Sequence, residues 1–450
     1  MKAYLEVDQL RKIMVVGGGY AGFYAAWVLE KRLRRSEAEI TVIDPRPYMT
    51  YQPFLPEVAA GSIEARHAAV SLRRHLRRAK VIAGSVIRID HAQRQLSVRP
   101  TEGEDFLLPY DIVVVTAGAV TRKFPVPGIE QFAIGLKHVE EAVAIRDRIL
   151  VSFDRAANLP PGPERSRLLT VLFVGGGFTG VEGFGETLSL ATALLGSYPE
   201  LAPNDLHFHL VEARDRILPE VSARPGAWVV RSLRERGAQV HLNTAVLSAE
   251  NGHVVLSDGE EFDAELIVWT AGNSANPVVA KHTDLPVTDA GLIVVRADLR
   301  VGTPDAPVVD AWSAGDGASI PDVTADDPAA RTVPNAQHAY RQGRHLARNI
   351  AAVLRGQEPE EYAHVSLGVV ATLGLGRGIF ESGPVVIKGF AAWLIHRGYH
   401  VLAVPSWERK VRVLVGWLPP VLFGRDIVSL QSVQTPRAAF VRGGAPDGGQ

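Results

Sequence analysis

Short runs of apolar residues recur along the chain, each running into glycines and then into a stretch with helical spacing. Lys12 to Val16 reads as a buried strand, Ala21 to Leu33 as a helix and Glu39 to Ile43 as the next strand, which makes a βαβ unit. The same order returns later: strand Leu168 to Val174, helix Gly180 to Leu195, strand Leu206 to Val211. Each unit also owns a later strand with an Ala-Gly turn. Ile112 to Val115 ends in Thr116-Ala117-Gly118, and Leu266 to Trp269 ends in Thr270-Ala271-Gly272. The two series lie about 158 residues apart, a repeat of architecture rather than of a short solenoid unit. The pattern predicts an α/β fold with two Rossmann-like dinucleotide-binding domains.

Other stretches complete the pattern. Glu64 to Lys80 is expected to be one helix whose Arg66, Arg73, Arg74, Arg77, Arg78 and Lys80 form a solvated face rather than an anion site. A helix is expected around His138 to Phe153, and Leu159-Pro160-Pro161-Gly162-Pro163 is expected to link domains. From about Gly368 the character changes, with aromatic and basic residues interleaved among apolar ones. The glycine-rich residues 442–450 are expected to be disordered.

Composition narrows the chemistry. A net charge of -1 over 450 residues supplies no field to hold nucleic acid, so no such partner is expected. There are no cysteines, which excludes disulfides, thiolate metal sites and a redox-active dithiol; no metal is expected. Arg11 and Lys12 ahead of the apolar stretch Ile13 to Leu29 imitate a signal peptide. Gly17, Gly18, Gly19 and Gly22 interrupt it in a way that suits a phosphate loop better, so the protein is expected to stay in the cytoplasm. No run reaches the ~18 apolar residues of a spanning helix.

Gly17-Gly18-Gly19-Tyr20-Ala21-Gly22 follows a strand and opens a helix. Gly17 permits the tight turn, Gly19 lets the backbone approach a pyrophosphate and Gly22 packs helix on strand, with the helix N-terminus attracting the anion. Asp44, 22 residues past Gly22, ends the second strand, where a carboxylate can accept hydrogen bonds from a ribose. Gly175-Gly176-Gly177-Phe178-Thr179-Gly180 repeats the pattern, with Glu212 ending its second strand 32 residues on. An acid there favours NADH, because it would repel a 2′-phosphate, although Arg214 and Arg216 stand nearby. Gly315-Asp316 follows a third strand, and downstream of two such loops it points to FAD in the first domain, with the aspartate toward the ribityl chain or, through water, the phosphate.

Together these residues resemble the flavoproteins with two dinucleotide-binding domains, and within them the type II NADH dehydrogenases, the single-subunit NADH:quinone oxidoreductases. The likeness covers about residues 10 to 440. Tyr51-Gln52-Pro53-Phe54-Leu55-Pro56-Glu57-Val58-Ala59-Ala60-Gly61 is similar to the family's segment beside the flavin, with Pro56 in place of a usual tyrosine. Thr179-Gly180-Val181-Glu182 with Glu186 resembles its nucleotide-domain helix start, which implies Glu182 near nicotinamide and quinone. Val333-Pro334-Asn335-Ala336-Gln337-His338-Ala339 resembles its Ala-Gln motif, which implies Gln337 on a quinone tunnel; the usual second glutamine is replaced by Arg341, with Gln342 adjacent.

The resemblance implies an NAD domain inserted in an FAD domain. Expected boundaries are 1–130 and 276–367 for FAD, 131–275 for NAD(H), 368–441 for a C-terminal membrane-associating region and 442–450 for the tail. It implies non-covalent FAD held by Gly17, Gly19, Tyr20, Ala21, Gly22, Asp44, Gln52, Thr116, Ala117, Gly118, Gly315 and Asp316. NADH would be held by Gly175, Gly177, Phe178, Thr179, Gly180, Glu212, Ala271 and Gly272.

Without cysteine, electrons must pass directly from flavin to an outside acceptor: a quinone, a one-electron protein or oxygen. Gln337 could donate to a quinone carbonyl or be a helix-start residue that contacts flavin or backbone. Glu182 could relay a proton or cap a helix. His338 and His364 are expected to be packing or surface histidines. Three of the seven tryptophans fall from Gly389 onward, at Trp393, Trp407 and Trp417, beside His396, Arg397, Arg409, Lys410 and Arg412. That composition suits a helix lying in a bilayer surface, with a dimer interface or a lid over the flavin as alternatives. The expected activity is NADH:quinone oxidoreduction without proton pumping, at the cytoplasmic side of the membrane, with a homodimer as a candidate assembly. A soluble NADH-dependent ferredoxin or rubredoxin reductase, and a redox-sensing NADH-binding protein, are the alternatives.

Overall fold

The computed structural model describes residues 10–366, 368–429 and 437. The chain forms two compact units, each assembled from separate segments. Residues up to Thr50, Ala69–Val120 and Asn273–Ser366 make the first; Tyr51–Ala68, Thr121–Gly272 and the C-terminal segment make the second. The expected tail, 442–450, lies outside the described residues.

In the first unit an eight-stranded sheet carries the fold, in the order Arg300–Gly302, Pro307–Ser313, Ile112–Val115, Arg11–Val16, Ala38–Asp44, Lys80–Asp90, Gln95–Pro100, Phe106–Pro109. Its central strands are parallel, with Val15 opposite both Val42 and Val114. Ile13, Val15, Val42, Val113 and Val114 have no exposed surface, as expected of strands covered on both faces. The helix Tyr20–Arg32 crosses the long helix Ala336–Val353 closely enough that a side chain on Gly343 would lie 2.2 Å from the Ala21 carbonyl oxygen.

The second unit holds a five-stranded parallel sheet, ordered Ala133–Ile134, Leu266–Trp269, Thr170–Val174, His207–Glu212, Gln239–Leu242. The helices Phe178–Leu194 and Val139–Ala157 belong to it, as does a three-stranded antiparallel sheet, Val246–Ser248, His253–Leu256 and Glu261–Asp263. Leu172, Val211, Val254, Leu256, Ile267 and Trp269 form one core cluster. A second antiparallel sheet, Val369–Thr372, Gly378–Ser382 and Val385–Lys388, precedes three C-terminal helices, Phe390–Ala403, Trp407–Gly416 and Leu418–Phe423.

Two expectations are corrected. Residues 64–80 are not one helix: a short 3₁₀ turn, Ala65–Ala68, gives way to a strand, Ala69–Ser71, and a single turn, Leu72–His75. Thr50, Met49 and Tyr48 pair antiparallel with Ala69, Val70 and Ser71, a partner that no local helical spacing reveals. The proline-rich segment 159–163 joins Val139–Ala157 to Pro163–Leu168 inside the second unit, so it turns between helices and does not link units.

Candidate functional site

The two glycine loops have the same construction. Gly17 and Gly175 adopt φ of +97° and +111°, the left-handed region that glycine enters without strain. Gly22 and Gly180 sit so close to the loop start that a Cβ would fall 1.8 Å and 1.9 Å from the carbonyl oxygens of Gly17 and Gly175. Around Gly19 and Gly177 the reverse holds, because a Cβ there would meet nothing within 4 Å. That open side, at the N-terminus of each helix, is room for a diphosphate. Thr116 Oγ1 donates to the carbonyls of Val16 and Gly17, both at 3.0 Å, and Thr270 Oγ1 donates to those of Val174 and Gly175 at 2.9 and 3.2 Å.

The strand-end acids grip their own loops. Asp44 accepts from the Gly18 N–H at 2.7 Å and from Arg46 N–H at 2.7 Å. Burial holds its carboxyl above the usual range, against the pull of those two amides. Glu212 accepts from Gly176 N–H at 2.6 Å and from Arg214 N–H at 2.9 Å. Each acid thus fixes its own loop through a backbone amide. Gly315, at φ +81°, is held by the buried Gln342, whose Oε1 accepts from Gly315 N–H at 3.0 Å and whose Nε2 donates to Thr332. Ala117 accepts from Asn276, and Gly118 and Gly272 take positive φ at their turns.

A second constellation lies within the second unit alone. Glu182 and Glu186, one turn apart on Phe178–Leu194, are 8% and 0% exposed, and Glu57 is 1% exposed. Glu182 Oε1 accepts from Thr372 N–H at 3.1 Å, and the Thr372 hydroxyl donates to Glu186 at 2.7 Å. Glu186 also receives Arg425, at 3.3 Å. Glu57 accepts from the Trp417 indole N–H at 2.6 Å and lies 3.4 Å from the Arg397 guanidinium. That guanidinium stacks between two indoles, 4.4 Å from the Trp393 ring and 4.5 Å from that of Trp417. Desolvated cation–π contacts of this kind contribute about 2 kcal/mol.

His396, with no exposed surface, brings Nε2 to 3.1 Å from Glu182 Oε1, off the line a hydrogen bond requires. Its ring meets that of His400 at 4.5 Å, and His400 Nδ1 lies 3.1 Å from the Tyr51 hydroxyl. Burial drives the His400 pKa well down, and His396 adds to this, so His400 is neutral. Burial also raises the Glu57 carboxyl, outweighing the attraction of Arg397. A group of buried carboxylates and imidazoles like this can hold a proton and release it.

The family profile described as "Pyridine nucleotide-disulphide oxidoreductase" matches residues 11–343. The chain belongs to that family. Among similar curated proteins, the type II NADH:quinone oxidoreductase Ndh of Mycobacterium tuberculosis is 29% identical, over 96% of this chain and 92% of its own. The type II NADH:quinone oxidoreductase of Haemophilus influenzae is 28% identical, over 84% and 90%. Among solved structures, NDH2 from Plasmodium falciparum in complex with NADH superposes with a TM-score of 0.84 at 17% identity, covering 93% of this chain and all of that one, a likeness of fold.

Although the family's description names a disulphide, this chain has no cysteine and so holds no disulfide of its own to relay electrons through. The nucleotide side fits, since both loops offer an open helix N-terminus and an acid at the strand end. Gly17, Gly19, Tyr20, Ala21, Gly22 and Asp44 come together in the first unit with Thr116, Ala117, Gly118, Gly315 and Asp316. Gly175, Gly177, Phe178, Thr179, Gly180, Glu212, Ala271 and Gly272 come together in the second, which also holds Glu182 and, as the first residue of a half-buried 3₁₀ turn, Gln52. Gln337 belongs to the first unit, half-buried on the opening turn of Ala336–Val353, and Asn335 caps that helix. His338 bonds Tyr362 at 2.9 Å.

Sequence reading missed His396, Arg397 and His400. His396 and Arg397 were read as basic neighbours of an interfacial helix and His400 was not singled out; the structure buries them against Glu182, Glu57 and Tyr51. The signal was present in the spacing, since 396, 397 and 400 share one face of a helix. Their acidic partners lie far back in the chain, which hid the pairing.

Proposed function

We propose that the chain is a flavoprotein NADH:quinone oxidoreductase, at the cytoplasmic face of a membrane, that pumps no protons. One observation carries the reading: two phosphate loops of the same construction, each with its acid, in a chain without a single thiol. One loop then serves FAD, the other NADH. Residues 1–130 and 276–367 are assigned to the flavin and 131–275 to the nicotinamide nucleotide. The names of the relatives from Mycobacterium and Haemophilus supply the acceptor class.

FAD, when bound, supplies the two-electron chemistry that links the substrates. The balance is NADH, a proton and a quinone giving NAD⁺ and quinol, so one proton must come from the protein or solvent. Glu182 is assigned to hold that proton, with its Oε1 beside His396 and Thr372. Gln337 is assigned as donor to a quinone carbonyl, since its side-chain amide has no hydrogen-bond partner among the described residues. Glu212 orients the NADH ribose and disfavours a 2′-phosphate.

The exposed face of the C-terminal helices suits a lipid surface. Leu402 is 74% exposed, Trp407 81% and Phe423 86%, with Lys410 and Arg412 close by. No helix among the described residues is long and apolar enough to cross a membrane, so the assigned mode is peripheral, in the plane of the interface. A quinone dissolved in the bilayer is then reached from its surface.

The deciding experiment is steady-state NADH oxidation by the purified protein with a short-chain quinone, with oxygen alone and with a ferredoxin. Quinone should stimulate strongly and ferredoxin should not; turnover indifferent to quinone would reject the reading. Co-sedimentation with anionic vesicles tests the membrane face. Replacing Leu402, Trp407 and Phe423 with serine should release the protein from vesicles while NADH oxidation with a water-soluble quinone persists.

A further inference from the structure

In the second unit two histidines meet on neighbouring strands. His209 stands on the strand His207–Glu212 and His241 on the edge strand Gln239–Leu242. The parallel register sets His209 opposite Gln239 and Val211 opposite His241. The histidines are therefore two residues out of step, and both side chains fall on the same face. Their rings are nearly parallel, at 6°, and His209 Nδ1 lies 3.2 Å from His241 Nε2. Phe262 stacks on the His209 ring at 3.9 Å and fixes its plane. His209 is 3% exposed.

Two carboxylates converge on the pair from the turn between His253–Leu256 and Glu261–Asp263. Glu260 lies 3.9 Å from His209 Nδ1 and 3.7 Å from His241 Nδ1, and Asp258 lies 3.6 Å from His241 Nδ1. These separations are too long for hydrogen bonds. One ligand atom each from His209, His241 and Glu260 can be chosen so that all lie within 4.8 Å of one another. Metal–nitrogen and metal–oxygen bonds of 2.0–2.2 Å in a tetrahedron place ligand atoms roughly 3.3 Å apart. His209 Nδ1 and His241 Nε2 already have that spacing; Glu260, 3.9 Å from His209 Nδ1 and now beside His241 Nδ1, would turn its carboxylate toward them to complete the set. Asp258 is steadied by the Glu260 N–H at 3.1 Å and by Thr244 at 3.3 Å.

We propose that His209, His241 and Glu260 form a binding site for a divalent transition-metal ion of the zinc class, with Asp258 as a supporting carboxylate and water completing the coordination. Two imidazoles and a carboxylate suit zinc, copper, nickel or iron, whereas calcium and magnesium prefer oxygen alone. The role is structural. The ion ties the edge strand and the antiparallel turn to the strand that ends, three residues later, in Glu212. It thereby stiffens the support of the second glycine loop. The alternative for the same atoms is a bare imidazole–imidazole hydrogen bond, which needs no carboxylates around it. Expectation from sequence was of no metal, because that reading rested on cysteine, and these ligands come from three separate strands and turns.

The test uses the full-length protein, freed of metal with a chelator and titrated with Zn²⁺ alone by calorimetry. One equivalent should bind with micromolar or tighter affinity, and the melting temperature should rise by roughly 2–4 °C or more at saturating Zn²⁺. Co²⁺ in place of Zn²⁺ should give the visible absorption of a four- or five-coordinate ion. His241→Ala should weaken binding at least about hundredfold, and the exposed Glu260→Gln roughly ten- to hundredfold with no change in metal-free stability. Absence of a micromolar equivalent would overturn the site. So would an equivalent that survives in both variants, which places the ion elsewhere.

Discussion

The helices leaving the two glycine loops begin alike and then diverge. Two residues past the last loop glycine, the first carries Tyr24 and the second Glu182; four residues further they carry Val28 and Glu186. Tyr24 packs edge-on against Phe23 and Tyr340 in an aromatic cluster, and burial pushes its phenol up and out of acid–base use. Glu182 and Glu186 are just as buried, yet they meet Thr372, His396 and Arg425. On the proposed reading each loop anchors a nucleotide, and at these matched positions it is the second helix that carries carboxylates. On that reading one dinucleotide site would be a holder and the other would be joined to proton chemistry.

The comparison can be broken most severely at the loops. Gly180→Ala forces a Cβ to within 1.9 Å of the Gly175 carbonyl, so kcat/KM for NADH should fall at least about hundredfold while FAD content holds. Gly22→Ala should instead yield protein without flavin. Absorbance spectra and stopped-flow reduction separate the two, and equal flavin loss in both would end the assignment of one loop to each nucleotide.

Next comes the divergence itself. Glu182→Gln should lower quinone turnover about hundredfold with flavin reduction by NADH intact, whereas Tyr24→Phe should change neither. If Glu182→Gln slows both half-reactions alike, Glu182 is not on the acceptor side. Glu212→Ala removes a ribose acceptor and a loop clamp; KM for NADH should rise roughly tenfold and discrimination against NADPH should shrink.

The smallest effect concerns pH. The folded protein keeps His400 neutral far below the ordinary histidine pKa of about 6.5, while the unfolded chain takes up a proton there. The neutral ring's contribution is therefore fully present above about pH 6.5 and is lost as pH falls below it. The slope is at most about 1.4 kcal/mol per pH unit. Denaturant titrations should show this, and His400→Gln should flatten the slope; an unchanged slope would show that the burial of His400 does not govern it.

What the chain's letters revealed depended on the range of the interaction. Both loops, their strands and acids were legible, because turn, helix start and acid all fall within one local βαβ pattern. Gly315 was legible as a turn, but Gln342, which holds it, was seen only as a neighbour of a family position. Residues 64–80 were misread, because a strand pairing with Tyr48–Thr50 overrides local helical spacing there. His396 and Arg397 were misread for a like reason. A basic residue beside tryptophan looks the same whether it faces lipid or a buried glutamate, and only the fold distinguishes them. The pairing of His209 with His241 was equally invisible, as it rests on the register of two strands.

The bond from Trp417 to Glu57 spans 360 residues of chain. A ribosome adding 5–20 residues per second needs roughly 20 to 70 s to cover that interval. For most of it the nascent chain holds Glu57 with neither Trp417 nor Arg397. Burying that carboxylate alone would cost several kcal/mol, so the segment Tyr51–Ala68 has every reason to stay open until the last helices emerge. A chain truncated before residue 397 would leave the Glu57 carboxyl without the guanidinium and the indole that meet it in the folded unit.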